Sequence, residues 1–202
     1  MSEITTKIDQ NWILQEGISY ESYCLKMKEL VEAQTTSGDD KSLERIEFTK
    51  LNLHRMKRIN EDLPLLTKYS LGFPISAAII TEAWCGDSAQ NIPWLEHFVN
   101  ACSPKIPTYY FFRDEHPGFM NQFLTNGSRS IPICIFFNPI NGNVYGTWGP
   151  RPEEIKSWLS DFRKQNPELT KHVWEIELHK YYTKNKGQAI TRDLKNLISS
   201  WS

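Results

Sequence analysis

The sequence lacks the features of a membrane-spanning or nucleic-acid-binding protein. Among its 202 residues, no apolar stretch approaches the roughly 18 residues that a membrane-spanning helix needs. The chain carries 23 Lys and Arg against 24 Asp and Glu, so its net charge of −1 lacks the positive excess typical of a nucleic-acid binder. We therefore expect neither a membrane nor a nucleic acid among its partners. A chain of this length forms one domain with extensions, or at most two.

Cysteine is scarce, and its spacing is irregular. The four cysteines, Cys24, Cys85, Cys102 and Cys134, show neither the paired spacing of a disulfide framework nor that of a metal site. Residues 1–10 lack the apolar core of a signal peptide. Because disulfides persist mainly outside the reducing cytosol, these absences predict a cytoplasmic protein with free thiols.

The most informative stretch joins a strand to a helix. Residues 75–80 form a near-continuous apolar run, typical of a strand buried on both faces. The run breaks at residues 84–87, after which apolar residues recur at helical spacing from Ile92 to Cys102. A cysteine on such a turn lies beside unpaired N–H groups and the positive end of the helix dipole, a setting that lowers a thiol pKa. Asp87 competes for the same N–H groups and repels a thiolate, and the sequence leaves this balance open.

Three features in this order resemble the thioredoxin family. Trp84-Cys85-Gly86-Asp87-Ser88 is similar to the family's active-site turn, Trp-Cys-Gly-x-Cys, with serine in the second cysteine position. Pro93 stands where thioredoxins carry a helix-kinking proline, and Ile131-Pro132 resembles the cis-proline that enters a strand. The resemblance covers residues 73–165, about half of the chain.

The nearest resemblance is to bacterial thioredoxin-like proteins with a single active-site cysteine. Four segments carry it, and they begin at Thr81, Arg113, Thr125 and Trp148. It implies an α/β fold with a three-layer αβα core, a mixed four-stranded sheet and additional helices at both termini. The predicted division is an N-terminal helical extension over 1–62, a thioredoxin-like core over 63–165 and a C-terminal helical extension over 166–202, packed as one unit.

The order of the elements predicts which loops meet. The patterns indicate helices over about 43–62 and 153–164, a C-terminal helix interrupted near 185–187, a loosely ordered lead-in over 1–18, and strands at 108–112, 133–137 and 144–148. A βαβ crossover makes the first two strands parallel, and a hairpin reverses the last two. Four loops then converge at one end of the sheet around Cys85. The candidate site comprises Cys85 together with Trp84, Gly86, Asp87, Ser88, Arg113, Asp114, Arg129, Ile131, Pro132, Trp148 and Arg151.

Several of these residues have two interpretations that the sequence leaves open. Trp84 and Trp148 either pack in the core or stack on a ligand. Arg113 and Asp114 either form a structural ion network, with Arg151 as a further partner, or bind a substrate. The basic face at residues 50–58 is interpreted as a solvated helix surface, and the scattered histidines predict no metal site.

The chain is predicted to act through one thiol. Ser88 cannot form a disulfide with Cys85, Cys102 falls near the far end of the same helix, and Cys134 is expected to point into the core. A mixed disulfide at Cys85 would then be resolved by glutathione, by another small thiol or by a second cysteine of the partner. The sequence also departs from the family pattern, because Ile79 stands where many thioredoxins carry a buried acid. That departure argues against general dithiol reductase activity.

Three functions follow as hypotheses. The leading one is thiol–disulfide exchange or deglutathionylation through Cys85, with protein or small-molecule thiols and disulfides as partners, no cofactor, and glutathione as a possible co-substrate. The alternative is a non-catalytic binding module that uses the Cys85 and Pro132 groove. A third is iron–sulfur binding, because residues 85–88 are similar to the Cys-Gly-Phe-Ser turn of monothiol glutaredoxins. A Cys85 pKa well below about 8.5 would favour exchange, and a higher one would favour the binding module. The oligomeric state remains open.

Overall fold

A computed structural model describes residues 6–65 and 68–201. Residues 1–5, the start of the predicted N-terminal extension, lie outside the described residues. The helices are α1 (Gln10–Glu16), α2 (Tyr20–Glu32), α3 (Leu43–Glu61), α4 (Gly86–Ala101), α5 (Pro117–Met120), α6 (Glu153–Gln165), α7 (Lys171–Asn185) and α8 (Gln188–Ser199). The strands are β1 (Tyr69–Ser70), β2 (Ser76–Thr81), β3 (Cys102–Ser103), β4 (Thr108–Phe112), β5 (Ile133–Phe137) and β6 (Val144–Trp148).

A mixed four-stranded sheet of order β4-β2-β5-β6 forms the centre of the fold. Strand β2 pairs in parallel with β4 and antiparallel with β5, and β6 pairs antiparallel with β5. All six residues of β2 are buried, as the apolar run predicts for a strand covered on both faces. The predicted α/β class and mixed four-stranded sheet are thereby confirmed.

Helices cover both faces of the sheet, and the side chains alternate between two cores. Ile79 and Cys134 pack on one face with residues of α2, α3, α4 and α8. Ile80 and Ile133 point to the other face, where α1 and α5 cover them. This alternation is the two-residue period of a strand. Cys134 is fully buried, as predicted.

The segment before α2 differs from the predicted lead-in, because it contains a helix and forms a backbone bridge at each edge of the sheet. The Asp9 side chain caps α1 by accepting the N–H of Asn11 at 2.9 Å, and Ile13 is fully buried. Lys7 forms an antiparallel bridge with Asn143, next to the edge strand β6. Ile18, two residues after α1, exchanges two backbone hydrogen bonds with Tyr110 of β4, the other edge strand. Their lengths are 3.1 and 2.8 Å.

The C-terminal helices divide where the sequence predicts. Helix α7 ends at Asn185 and α8 begins at Gln188, because Lys186 and Gly187 both adopt left-handed backbone conformations, with φ of 48° and 69°. The Trp94 ring lies directly against Gly187, where a side chain would collide with it. Within the described ranges, no helix is both long and apolar enough to cross a membrane.

We predict that Gly149→Ala destabilises the fold strongly. Gly149 has φ of 130°, and a Cβ there would collide with the Pro132 carbonyl oxygen and lie 3.3 Å from the Ile133 Cα. Backbone strain alone costs about 1–3 kcal/mol, so the free energy of unfolding measured in urea should fall by at least about 2 kcal/mol. Gly72→Ala is the control, because no atom lies within 4 Å of its Cβ position. Equal stability of the two variants would contradict this account.

Candidate thiol site

The Cys85 thiol lies where the start of α4 meets the loop before β5. Cys85 is the N-cap of α4, and its Sγ accepts the backbone N–H of Ser88 at 3.5 Å. The thiol donates to the carbonyl oxygen of Ile131 at 3.4 Å. The Ile131–Pro132 peptide bond is cis. The two segments are 46 residues apart in the chain, so the topology brings Cys85, Ile131 and Pro132 together as the loop argument predicts.

The environment of Cys85 raises the pKa of its thiol despite the helix dipole. Cys85 is only 7% exposed, and its burial, followed by the charge of Asp87, raises the pKa of the thiol to about 11. Hydrogen bonding from Ser88 and from the Asp87 backbone works in the opposite direction but is outweighed. The sequence left this balance open, and in the structure desolvation and the charge of Asp87 outweigh the hydrogen bonds. At neutral pH the group is a thiol, which agrees with its donation to Ile131.

Asp87 is neutralised by the segment that follows β6. Arg151 binds it through two contacts, Nε to Oδ1 at 2.9 Å and Nη2 to Oδ2 at 2.7 Å. The Tyr182 hydroxyl of α7 donates to Oδ1 at 2.8 Å, and the Asn91 amide donates to that hydroxyl at 3.1 Å. This network joins three segments far apart in the sequence. Tyr182 and Asn91 were not predicted, since neither is a typical catalytic residue.

Trp84 is held between two arginines. The Arg45 guanidinium lies 4.0 Å and the Arg113 guanidinium 5.0 Å from its ring centroids, a cation–π arrangement. Arg113 also pairs with Asp114 at 2.8 Å. The buried Glu82 carboxylate accepts the Asp114 N–H at 2.9 Å, and burial raises its pKa. These contacts make Arg113 and Asp114 a structural ion pair beside Trp84, and the sequence did not single out Glu82.

Two predicted site residues make their side-chain contacts with residues outside the Cys85 turn. Arg129 is exposed, and its Nε donates to Asn121 at 2.9 Å. Trp148 is buried, packs in the main core and donates from Nε1 to Asp193 of α8 at 3.3 Å. For Trp148 the core-packing interpretation is therefore the correct one.

A large groove opens above Cys85. It runs between α3 and α7, has a volume of about 1280 Å³ and has Cys85, Gly86 and Asp87 at its base. We call it the α3–α7 groove. Its apolar wall residues are Phe48, Leu51, Trp174, Ile176 and Leu178. Of the predicted site residues, Trp84 and Arg151 also line it.

Two unpredicted residues of this groove lie directly over Gly86. A Cβ at Gly86 would lie 2.8 Å from His179 Cε1 and 3.6 Å from Arg55 Nη1, so a larger residue there would push these side chains away. Arg55 donates to Asn52 Oδ1 at 2.9 Å. Burial, and then the charges of Arg55 and Arg151, lower the pKa of His179 to about 3, so its imidazole is neutral at physiological pH. The interpretation of Arg55 as part of a solvated face is wrong, because Arg55 is partly buried against the Cys85 turn.

Fold and site together define a thioredoxin-fold protein with a thiol at the N-cap of the helix that follows its central strand. A family model described as Thioredoxin matches residues 38–165 of the 202 residues, and the chain belongs to this thioredoxin-like family. The matched range includes α3 as well as the sheet. No curated protein is significantly similar to the chain.

Two solved structures are similar to the chain. One is an HIV epitope scaffold, with 13% identity, a TM-score of 0.54, and coverage of 96% of this chain and 99% of the scaffold. The other is PA1234, a Pseudomonas aeruginosa protein of unknown function, with 15% identity, a TM-score of 0.49, and coverage of 98% of this chain and 95% of its own. The scaffold shows a shared fold and carries no conclusion about activity.

We predict that Asp87→Asn lowers the Cys85 pKa. The substitution removes the negative charge that raises this pKa and leaves Arg151 without its partner, while the amide oxygen still accepts a hydrogen bond. The pH dependence of Cys85 alkylation should shift down by about one unit or more. Asp161→Asn, an exposed change on α6, should leave the profile unchanged. A profile unmoved by Asp87→Asn would show that desolvation alone sets the pKa.

We predict that His179 destabilises the fold in acid. Its folded pKa of about 3 lies below its ordinary value of 6.5, so the unfolded chain binds a proton that the folded imidazole does not. Its contribution to stability is therefore complete above pH 6.5 and falls towards pH 3, by up to about 1.4 kcal/mol per pH unit. Urea unfolding at pH 7.5 and pH 5 should show a smaller acid loss in His179→Gln. His172→Gln, an exposed change on the same helix, should behave as the wild type does.

Proposed function

We propose that this thioredoxin-fold protein exchanges its Cys85 thiol with a disulfide or a glutathione adduct. The observation that carries the proposal is the position of Sγ, which lies at the N-terminus of α4, faces the Ile131 carbonyl oxygen and borders an open groove. An extended substrate can pair with the backbone before Pro132 while its sulfur approaches Sγ. The N–H groups at the start of α4 then stabilise the developing thiolate.

The exchange step follows from the single thiol. Cys85 loses its proton to solvent, the thiolate attacks one sulfur of the substrate disulfide, and that S–S bond breaks. A new disulfide forms between Cys85 and the attacked sulfur, and the other sulfur leaves as a thiolate that takes up a proton. Because Ser88 holds no thiol, a second thiol such as glutathione attacks the mixed disulfide, releases Cys85 and carries the attached group away as a disulfide.

A Cys85 pKa above about 8.5 was expected to favour the binding module, and the raised value of about 11 slows exchange without preventing it. At pH 7.5 a thiol with a pKa of about 11 is ionised in about 1 molecule in 3,000, some 300-fold less than a thiol of pKa 8.5. A more basic thiolate is about tenfold more nucleophilic, which leaves exchange about 30-fold slower than for an ordinary thiol. Such a thiol resists indiscriminate oxidation and reacts with substrates that the groove holds in place.

A specific observation also favours the non-catalytic binding module as the second candidate. A raised Cys85 pKa, together with Ile79 and Ser88 in the positions where a dithiol reductase needs an acid and a second cysteine, suits a site that binds without reacting. This candidate predicts that Cys85→Ser captures the same partners as the wild type. Thiol exchange predicts that covalent capture disappears in that variant.

We predict that oxidised glutathione modifies the protein at Cys85. Peptide-level mass spectrometry should find a glutathione adduct there whose rate of formation rises about tenfold per pH unit between pH 7 and pH 10, because the thiolate fraction does so below a pKa of about 11. Reduced glutathione should reverse the adduct, and Cys85→Ser should form none at this position.

Two outcomes would contradict exchange through Cys85. One is the absence of a Cys85 adduct even at pH 10. The other is equally fast modification of Cys24 and Cys102, which lie outside the groove.

A further inference from the structure

We propose that the α3–α7 groove selects disulfides that carry a carboxylate near the reacting sulfur, and that Arg55 binds this carboxylate. The inference rests on the proposed function and adds a substrate class and a specificity-determining residue to it. Neither the family match nor the solved structures assign any role to Arg55 or to the groove.

The first observation is that Arg55 lacks an anionic partner within the described residues. Four arginines of the described chain have carboxylate partners, namely Arg45, Arg113, Arg151 and Arg192. Arg55 is partly buried yet makes no ion pair within residues 6–65 and 68–201, and its Nη1 donates only to the neutral Asn52 amide. Burying an uncompensated guanidinium is costly, and an anion bound beside it would recover that cost.

The position of Arg55 is the second observation. Its Nη1 lies next to Gly86, one residue from the thiol and at the positive end of the 16-residue helix α4. The His179 imidazole lies on the same spot, with Nδ1 paired to the Gln90 amide at 3.2 Å. When that amide donates to Nδ1, the imidazole proton is on Nε2, on the side facing Gly86. Arg55 and His179 then both offer N–H donors beside Cys85.

The shape of the groove is the third observation. Small-molecule pockets have volumes of about 300–1,000 Å³, and this groove, at about 1280 Å³, accepts a peptide-sized ligand. Phe48, Leu51 and Trp174 provide apolar contacts along its walls. The ligand that fits this groove has a carboxylate within one or two residues of its disulfide-bonded cysteine. Two sources fit this description: a free glutathione-type peptide, and an acidic residue beside a cysteine of a protein.

Alkylation by a charged and a neutral reagent tests anion binding without a disulfide. Iodoacetate carries a carboxylate, whereas iodoacetamide does not, and the ratio of their rates at Cys85 cancels the thiolate fraction. We expect this ratio to exceed that of free cysteine in the wild type and to fall about tenfold in Arg55→Gln, the loss of one charge-assisted hydrogen bond. Lys50→Gln, an exposed change on α3 outside the groove, should keep the wild-type ratio.

Three disulfides then test the substrate class by the rate of Cys85 adduct formation. Oxidised glutathione and a mixed disulfide of an acidic cysteinyl peptide carry carboxylates, whereas cystamine carries two amines. The anionic disulfides should react faster than cystamine in the wild type, and Arg55→Gln should reduce this preference about tenfold. A faster reaction with oxidised glutathione identifies the small-molecule source, and a faster reaction with the acidic peptide identifies the protein source.

The outcomes separate this inference from the proposed function. Equal rates for anionic and cationic disulfides, or ratios that Arg55→Gln leaves unchanged, would overturn the inference while exchange stands. No adduct with any of the three disulfides would overturn exchange itself, and the substrate assignment with it.

Discussion

The ion pair between Asp87 and Arg151 determines how the thiol site is assembled. Asp87 occupies the first turn of α4, two residues after Cys85, where an isolated carboxylate would raise the thiol pKa further. Arg151 neutralises it with two short contacts, and Tyr182 adds a third. Because Arg151 follows β6 and Tyr182 belongs to α7, these contacts with Asp87 fix the C-terminal helices against the Cys85 turn. The α3–α7 groove depends on it, since α7 forms one wall.

The sheet and the thiol turn were predictable because their signals are local. The strands at 108–112, 133–137 and 144–148 are bounded by turn residues, and the break at 185–187 coincides with two left-handed residues. The meeting of Cys85 with Ile131 follows from strand directions alone. These predictions require only hydrophobic period, turn chemistry and the handedness of a crossover.

The groove was not predictable for a physical reason. Arg55 lies on a helix whose basic residues are balanced by Glu44, Glu47 and Glu61, and such a composition is typical of a solvated surface. Its burial arises from the packing of α3 and α7 across Gly86, between segments more than 100 residues apart in the chain. The Cys85 pKa could not be predicted either, because it reflects a balance between desolvation and hydrogen bonding. That balance depends on how far the thiol is exposed, which the sequence does not show. Trp148 failed in the opposite way. It lies at the end of the sheet where the site was predicted, but its side chain turns into the core and donates to Asp193.

The N-terminal segment has a consequence for the solution behaviour of the protein. The sheet is open, so β4 and β6 would each present a row of free backbone groups to a neighbouring molecule. Ile18 occupies part of the first row and Lys7 occupies a position at the second, so one short stretch of chain shields both borders. This arrangement discourages intermolecular strand pairing without closing the sheet into a barrel. A chain that lost this stretch would expose both borders and the apolar face that α1 covers, and it would tend to self-associate.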